Sequence, residues 1–260
     1  NVNVQLFAQD VHEPFAATDP RVAEMFQVLT ATAGDDNASG TASFRETAGA
    51  DDLTGGAGDD ILFGDHGLIS MAAGTRRLTT TGSVLRMETV LPAFGGADTL
   101  RGNDGNDRIF GGQGVDTIDA GEGDNVVLGD HGFIDLGNAD SAIDLIQSTS
   151  STTAGGADTI SAGSGDDIVI GGRFGDKITI ADGNNIVLGD EGVIKYQAGG
   201  PLLAEISSIY LDNSGAFIQQ NGDDTISAGA SANSIGAGSD IVIGGLGDDT
   251  IRGNSGDDTL

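Results

Sequence analysis

The sequence contains no cysteine and no tryptophan, and it has only 3 histidines and 2 tyrosines among 260 residues. Without cysteine the chain has no thiol nucleophile, no disulfide and no thiolate metal site. Few large aromatic side chains are present to build a thick globular core. No apolar run approaches the roughly 20 residues of a membrane-spanning helix, so we expect no membrane insertion.

Basic residues are also scarce, because 11 lysines and arginines stand against 40 aspartates and glutamates, for a formal net charge of −29. So many carboxylates repel one another in any compact state. The chain is therefore either disordered or neutralised by a cation partner. The same charge makes nucleic acid an unsuitable partner, because its phosphates are anionic as well.

The 44 glycines recur in nonapeptides. From Ala93 the chain reads AFGGADTLR, GNDGNDRIF, GGQGVDTID and AGEGDNVVL, and from Thr153 it reads TAGGADTIS, AGSGDDIVI, GGRFGDKIT and IADGNNIVL. A shorter copy begins at Glu46, and a further copy begins at Gln219. These repeats define four blocks, over residues 46–69, 93–134, 153–194 and 219–260.

Two positions of the nonapeptide are nearly invariant. The eighth is always a large aliphatic residue: Leu53, Leu62, Leu100, Ile109, Ile118, Val127, Ile160, Val169, Ile178, Val187, Ile226, Val242, Ile251 and Leu260. The sixth is an aspartate or asparagine: Asp51, Asp60, Asp98, Asp107, Asp116, Asn125, Asp158, Asp167, Asp176, Asn185, Asp224, Asp240, Asp249 and Asp258. An unbroken aliphatic column argues against a disordered chain.

Each residue type has a physical reason. Glycines permit the positive φ angles and close backbone approach needed where the chain reverses direction, and they leave carbonyl oxygens free to face a cation. The aspartate adds a hard anionic oxygen to the same turn, and calcium takes six to eight oxygens, whereas zinc prefers His or Cys. The three residues around the aliphatic position form a short strand. Two nonapeptides then make one coil, which predicts an all-β parallel β-roll.

The segment Gly111-Gly112-Gln113-Gly114-Val115-Asp116-Thr117-Ile118-Asp119 fits the pattern G-G-x-G-x-D-x-U-x at every fixed position. The chain thus resembles the RTX, or hemolysin-type calcium-binding, repeat proteins. The resemblance implies an ion between successive turns on the same side of the roll, bound by aspartates and carbonyls of both turns. It pairs Asp98 with Asp116, Asp107 with Asn125, Asp158 with Asp176 and Asp167 with Asn185, and it pairs Asp240 or Asp249 with the coil that follows.

All sixth-position residues are therefore candidate calcium ligands. The motif GD[HE]G ends each of the first three blocks, and we expect its aspartates, Asp65, Asp130 and Asp190, to close the final site of each block. The ligand count predicts on the order of 8 to 12 calcium ions. Burial of one aliphatic side chain returns less free energy than ordering nine residues costs, so folding should require the ion.

Linkers separate the blocks, over residues 70–92, 135–152 and 195–218. Each begins with an alternating run and offers a second apolar run later, which predicts a β-hairpin. Residues 1–45 resemble a degenerate linker with entry strands, although residues 21–29 could instead form a helix behind Asp19 and Pro20. Outward strand positions seven and nine are polar on one predicted sheet and apolar on the other. We expect the linker strands to cover the apolar sheet face.

The fourth block breaks register, because Asp224 and Asp240 lie 16 residues apart instead of two nonapeptides. A two-residue deletion would put Ile241 and Ile243 on the polar sheet, whereas a seven-residue insertion would put them on the covered sheet. We favour the insertion, which makes Ala230 to Gly236 a loop with Ile235 tucked back.

No catalytic site is expected. His66 and His131 occupy matched turns, but Glu191 replaces them in the third copy, so we interpret them as solvent-facing turn residues. Paired acids such as Asp166 and Asp167 could suggest a glycosidase. Their recurrence in several blocks marks each pair as one ligand and one solvated neighbour.

The leading hypothesis is a calcium-binding structural segment of a secreted bacterial adhesin or extracellular filament. The RTX resemblance implies type I export as an unfolded chain, folding on calcium at the cell surface or outside the cell, and it leaves self-association into a fibre or array open. The alternative is the calcium-dependent secretion module of an RTX enzyme or toxin, with the catalytic part outside this sequence. The chain repeats a larger unit that consists of one block plus one linker, and this favours the adhesin or filament hypothesis.

Overall fold

The computed structural model describes residues 49–72, 84–137, 142–149, 154–197, 202–209, 222–227, 238–254 and 256–260, together with the backbone of two short strands, β1 (Leu6–Phe7) and β2 (Gln27–Leu29). These residues form strands, turns and bends, and none of them lies in a helix. Within the same ranges, no helix is long and apolar enough to cross a membrane. The all-β prediction is confirmed.

Three sheets make up the described chain. The first is a seven-stranded parallel sheet, which we call the outer sheet. It contains β3 (Asp52–Ala57), β7 (Thr99–Asp104), β9 (Thr117–Asp119), β13 (Thr159–Ala162), β15 (Lys177–Ile180), β19 (Thr225–Ser227) and β21 (Thr250–Arg252). Its positions seven and nine carry the polar side chains noted in the sequence.

The second, which we call the middle sheet, is six-stranded and also parallel. It contains β4 (Ile61–Phe63), β8 (Arg108–Phe110), β10 (Val126–Leu128), β14 (Ile168–Gly172), β16 (Ile186–Asp190) and β20 (Ile241–Ile243). Successive nonapeptides alternate between the outer and middle sheets, as expected of a β-roll.

The third sheet is antiparallel and eight-stranded, and we call it the linker sheet. Besides β1 and β2 it contains β5 (His66–Met71), β6 (Val84–Thr89), β11 (Gly132–Asp135), β12 (Leu145–Ser148), β17 (Gly192–Tyr196) and β18 (Leu203–Ser208). Each linker, together with the last residues of the block before it, thus contributes two antiparallel strands, in agreement with the predicted hairpins.

The eighth-position column forms the first hydrophobic core, between the outer and middle sheets. Parallel pairing keeps these side chains in line, because Leu100 is paired with Ile118 and Ile109 is paired with Val127. Leu100, Ile109 and Val127 are completely buried. The strict aliphatic column of the sequence therefore forms the hydrophobic core of the roll.

A second hydrophobic core lies between the middle sheet and the linker sheet. Outward side chains of the middle sheet, such as Phe63 and Phe110, pack there with linker residues such as Met87 and Ile146. The two phenylalanine rings stack with centroids 4.7 Å apart. The prediction that the linker strands cover the apolar face is confirmed.

The linkers also pair with one another. Strand β6 of one linker pairs with β11 of the next, and β12 pairs with β17. A single row of inward residues crosses six strands in register: Ile69, Met87, Ile134, Ile146, Ile194 and Ile206. The sequence predicted separate hairpins, whereas the structure joins them into one sheet that runs along all the described blocks.

Two alternatives from the sequence are resolved at the edges. Gln27–Leu29 is a strand paired with β5, so a helix extending over these residues is wrong. In the fourth block, Ile241 and Ile243 pair with Ile186 and Leu188 of the middle sheet. Their predicted position on the covered sheet is confirmed, while the expected loop at 230–236 lies outside the described residues.

Candidate metal centre

The turns that connect the two parallel sheets form two rows. Turns of the outer-to-middle row include residues 102–107, 120–125, 162–167 and 180–185. Turns of the middle-to-outer row include residues 111–116, 171–176 and 244–249. At each linker, one turn of the middle-to-outer row is divided into two parts. In the first of these turns, Gly64 and Asp65 form the first two positions and lead into the linker sheet. Residues 95–98 form the other four positions after the chain returns to the roll.

Sixth-position side chains form a ladder along each row. The backbone N–H of Asp98 donates to Oδ1 of Asp116, and the N–H of Asp116 donates to Oδ1 of Asp158, each over 2.8 Å. The same bond recurs from coil to coil in both rows, with lengths between 2.7 and 3.1 Å. One oxygen of each carboxylate is thereby fixed by the preceding coil.

The other carboxylate oxygen has a different environment. Oδ2 is buried and has no hydrogen-bond partner in Asp60, Asp98, Asp107, Asp116, Asp158, Asp167, Asp176, Asp224 and Asp240. A buried oxygen without a partner is costly, and an anionic one costs most. A repeated set of such atoms in matched positions indicates that a cation belongs beside them.

Glycine at the first turn position leaves room for that cation. A Cβ atom on Gly111 would lie 2.6 Å from Oδ2 of Asp116 and still closer to the carbonyl oxygen of Gly129. A Cβ atom on Gly129 would likewise meet Oδ2 of Asp158 and the carbonyl oxygen of Gly171. Gly64, Gly171 and Gly189 repeat this arrangement along the middle-to-outer row, and Gly102 has it in the other row.

We call the opening beside each first-position glycine a cradle. Each cradle combines a carboxylate oxygen of one coil with a carbonyl oxygen of the next, and such oxygens are the hard donors that calcium prefers. In the described ranges, no three His, Cys, Asp or Glu side chains converge closely enough to hold a metal ion. Main-chain carbonyl oxygens must therefore complete any ion site in these turns. The residues present fit calcium.

Burial and neighbouring carboxylates shift the acids of these turns in one direction. Desolvation raises the pKa of Asp98, Asp116 and Asp224 to about 7 and that of Asp176 to about 10. Nearby aspartates contribute to the raised pKa of Asp98, Asp176 and Asp224. Without a cation the folded turns therefore hold protons at a pH where the unfolded chain is ionised.

Asp130 and Asp65 of the GD[HE]G motifs each bridge three backbone segments, and Asp190 accepts a hydrogen bond from the N–H of Leu246. Asp130 accepts hydrogen bonds from the N–H of Gly156, over 2.8 Å, and from the N–H of Arg173. Asp65 accepts from Gly96 over 3.1 Å and from Gln113 over 2.6 Å. The side chains of Asp130 and Asp65 thus each connect the two halves of a split turn to the next coil. The role of all three aspartates as calcium ligands stays a prediction.

The interpretation of His66 and His131 as solvent-facing residues is wrong. Their exposed fractions are 8 % and 3 %, and that of Glu191 in the matched position is 2 %. Burial lowers the pKa of His131 to about 4. The reason is the linker sheet, because β5 begins at His66 and β11 begins directly after His131, so these turns lie beside a packed sheet.

Sequence reasoning missed a second ladder, formed by the fifth position of the outer-to-middle row. The N–H of Asp124 donates to Oδ1 of Asn106 over 2.8 Å, and the N–H of Asp166 donates to Oδ1 of Asp124 over 2.9 Å. These side chains are exposed, as expected of solvated neighbours. The signal in the sequence was the recurrence of Asp or Asn at this position in alternate nonapeptides.

A parallel roll with an aliphatic filling and acidic glycine turns defines the class of calcium-binding β-rolls. The family model described as RTX calcium-binding nonapeptide repeat (4 copies) matches this chain over residues 47–67, 93–127, 152–178, 220–235 and 234–260. Through these repeats the chain belongs to the RTX family, whose repeats bind calcium and occur in secreted proteins. No curated protein and no solved structure matches it.

Proposed function

We propose that this chain is a calcium-dependent structural segment of a secreted bacterial adhesin or extracellular filament, folding when it meets calcium outside the cell. The observation that supports it is the linker sheet, which pairs hairpins of successive linkers and joins the repeat blocks into one continuous three-layer stack. Such continuity suits a stiff spacer, because strands of successive described blocks pair with one another in all three sheets.

The calcium ligands in this proposal are the sixth-position side chains together with carbonyl oxygens of the following coil. The arrangement at Asp116 and Gly129 is the reference: Oδ1 is held by Asp98, and Oδ2 faces the cradle. At each junction, Asp65, Asp130 or Asp190 closes the split turn before the next block begins. Calcium supplies the positive charge that these oxygens require.

Dependence of folding on the ion follows from the charges. Buried, partnerless carboxylate oxygens oppose folding unless a cation neutralises them, so the calcium-free chain should be expanded and the loaded chain ordered. Extracellular calcium modules work at about 10⁻⁴ to 10⁻³ M. The chain would then remain unfolded before export and fold outside, which agrees with a type I route.

Circular dichroism and small-angle X-ray scattering on the full chain test this function. In millimolar calcium we expect a strand spectrum and a compact, narrow particle, and after calcium removal a coil-like spectrum and a larger radius of gyration. For a load-bearing spacer, the single-molecule unfolding force should also fall when calcium is removed. A melting curve and unfolding force unchanged by excess chelator at pH 8 would contradict the proposal.

A further inference from the structure

The two turn rows differ at the sixth position. In the middle-to-outer row the described turns carry aspartate throughout, whereas the outer-to-middle row contains Asn125 and Asn185 among its aspartates. Both asparagines are completely buried. An amide differs from a carboxylate in charge and in having a donor, so the same turn cannot treat a cation in the same way.

Hydrogen bonding fixes the orientation of the Asn125 amide. Its Oδ1 accepts the N–H of Asp107 over 2.9 Å, as in every rung of the ladder. Nδ2 must therefore occupy the position that Oδ2 takes in an aspartate turn. There it donates to the carbonyl oxygens of Gly123, over 2.8 Å, and Gly121, over 3.2 Å. Burial raises the pKa of the Asp167 carboxyl in the next coil, and the same Asn125 side chain lowers it in part. The backbone N–H of Asn125 donates to Oδ1 of Asp167 over 3.0 Å.

Asn185 repeats the arrangement two coils later. Its Oδ1 accepts the N–H of Asp167 over 2.9 Å. Its Nδ2 donates to Oδ1 of Asp240, over 3.0 Å, and to the carbonyl oxygen of Gly183, over 3.4 Å. Both amide groups thus donate to carbonyl oxygens of their own turns, and that of Asn185 also reaches the carboxylate of the following turn, which is the bridge that a calcium ion would make.

The first position of both turns is also occupied by a side chain. Aspartate turns such as 102–107 and 111–116 begin with glycine, whereas the two asparagine turns begin with Ala120 and Ile180. The aspartate turn 162–167 begins with Ala162 as well, so the first position agrees with the hydrogen bonds of the amides and does not distinguish the two kinds of turn by itself. The exposed fractions of Ala120 and Ile180 are 0 % and 1 %. A side chain stands where glycine leaves the cradle open, and the amide has no orphaned atom, in contrast to the partnerless Oδ2 of Asp116.

We infer that the gaps between Asn125 and Asp167 and between Asn185 and Asp240 hold no calcium, because the asparagine amide takes the place of the ion. Calcium loading is then uneven: the middle-to-outer row carries the ions in an unbroken series, and the other row is interrupted twice. This inference rests on the proposed function, since it takes the aspartate turns as the calcium-binding ones.

The test is the number of calcium ions bound at saturation by the full chain, measured by calorimetry and by metal analysis after gel filtration. Asn125→Ala should leave the count unchanged while lowering the melting temperature. The matched variant is Asp116→Asn in the other turn of the same coil. It should fold and bind one ion fewer, because the new amide bridges its gap as Asn125 does.

Loss of an ion in Asn125→Ala, with loss also in Asp116→Asn, would overturn the inference and leave the proposed function standing. An unchanged count in Asp116→Asn would instead refute the assignment of sixth-position ligands. If Asn125→Ala does not fold, Asn185→Ala is measured in the same way. A further variant, Ala120→Gly with Asn125→Asp, rebuilds the open cradle, and a gain of one ion is expected.

Discussion

The N–H of Asp98 donates to Oδ1 of Asp116, which lies 18 residues further along the chain and one coil further along the roll. Through such bonds, each acidic side chain helps to fix how its own coil is aligned with the preceding coil. Because the same carboxylate presents Oδ2 to the cradle, the register of the coils and the ion site depend on one residue.

Asp116→Ala is therefore expected to destabilise the calcium-bound chain by about 2 to 3 kcal/mol, since it removes a charged acceptor and leaves the N–H of Asp98 without a partner. Asp119→Ala is the control, because Asp119 is an exposed acid on the outer sheet, and it should change stability by about 0.5 kcal/mol or less. Urea denaturation in calcium measures both. Equal losses in the two variants would mean that the sixth position has no special role.

Stability of the calcium-free chain should fall as the pH rises. Burial raises the pKa of Asp98, Asp116, Asp167 and Asp224 to about 7, whereas an aspartate in an unfolded chain has a pKa of about 3.9. Between these values the folded state binds more protons, so its stability is highest below pH 4 and is lost as the pH passes 7. Calcium-depleted protein should thus show more strand by circular dichroism at pH 5 than at pH 8.

The opposite trend, or equal strand content at the two pH values, would contradict the prediction. Addition of calcium at pH 6.5 supplies a second measurement. Ion binding should release protons from these carboxylates, so the calorimetric heat should depend on the ionisation enthalpy of the buffer. Protein with calcium already bound serves as the control.

Phe174→Gly should stabilise the chain. Phe174 has a φ of 74° in a turn position where Gly114 and Gly247 have positive φ, and a left-handed non-glycine residue costs about 1 to 2 kcal/mol. The greater chain entropy of glycine offsets about 0.5 to 1 kcal/mol of that gain. We expect a net gain of about 0.5 to 1 kcal/mol by urea denaturation in calcium.

Asn103→Gly provides the comparison, because Asn103 has a φ of 78° and asparagine tolerates this region better than phenylalanine. Its gain should be smaller. A loss of stability in Phe174→Gly would show that the ring contributes more than the backbone strain costs; Arg173 lies 5.8 Å from the ring centroid.

Ile146→Ala tests the linker sheet. Ile146 is completely buried in the second core and is paired with Ile134 on one side and Ile194 on the other. Truncation should cost about 2 to 5 kcal/mol, although no calcium turn is touched. Leu145→Ala, on the half-buried opposite face, should cost less. A melting transition that separates linker sheet from roll in either variant would contradict a single cooperative stack.

The sequence predicted the roll well because its two strict columns report on local geometry: the eighth residue fills the core, and the sixth holds the turn. It also predicted that the linker strands cover the middle sheet, because outward strand positions such as Ile168 and Ile170 are apolar and would otherwise be exposed to water. It did not predict that β6 would pair with β11, because strand pairing between linkers depends on the stacking of the coils beneath them. Nor did it predict the burial of His131, which depends on the same packing.

Asn125 shows where residue type alone is insufficient. By position it belongs with the aspartates, and the family pattern includes it among the ligands. Only its contacts reveal that Oδ1 is used by Asp107 and that Nδ2 faces Gly123. Ala120 at the start of the same turn was visible in the sequence, but its meaning depends on knowing that the first position borders the cradle.

The spacing of the junction aspartates has a consequence for how the molecule can change in length. From Asp65 to Asp130 the chain adds two strands to each sheet: β5 and β6, β7 and β9, β8 and β10; from Asp130 to Asp190 it again adds two to each. An even number leaves the direction of the antiparallel sheet unchanged at the boundary. Duplication or loss of one whole unit therefore preserves every pairing at the joint, whereas gain of half a unit would reverse it. We therefore expect longer or shorter versions of this stack to differ by whole units of one block plus one linker, each with the same three-sheet cross-section.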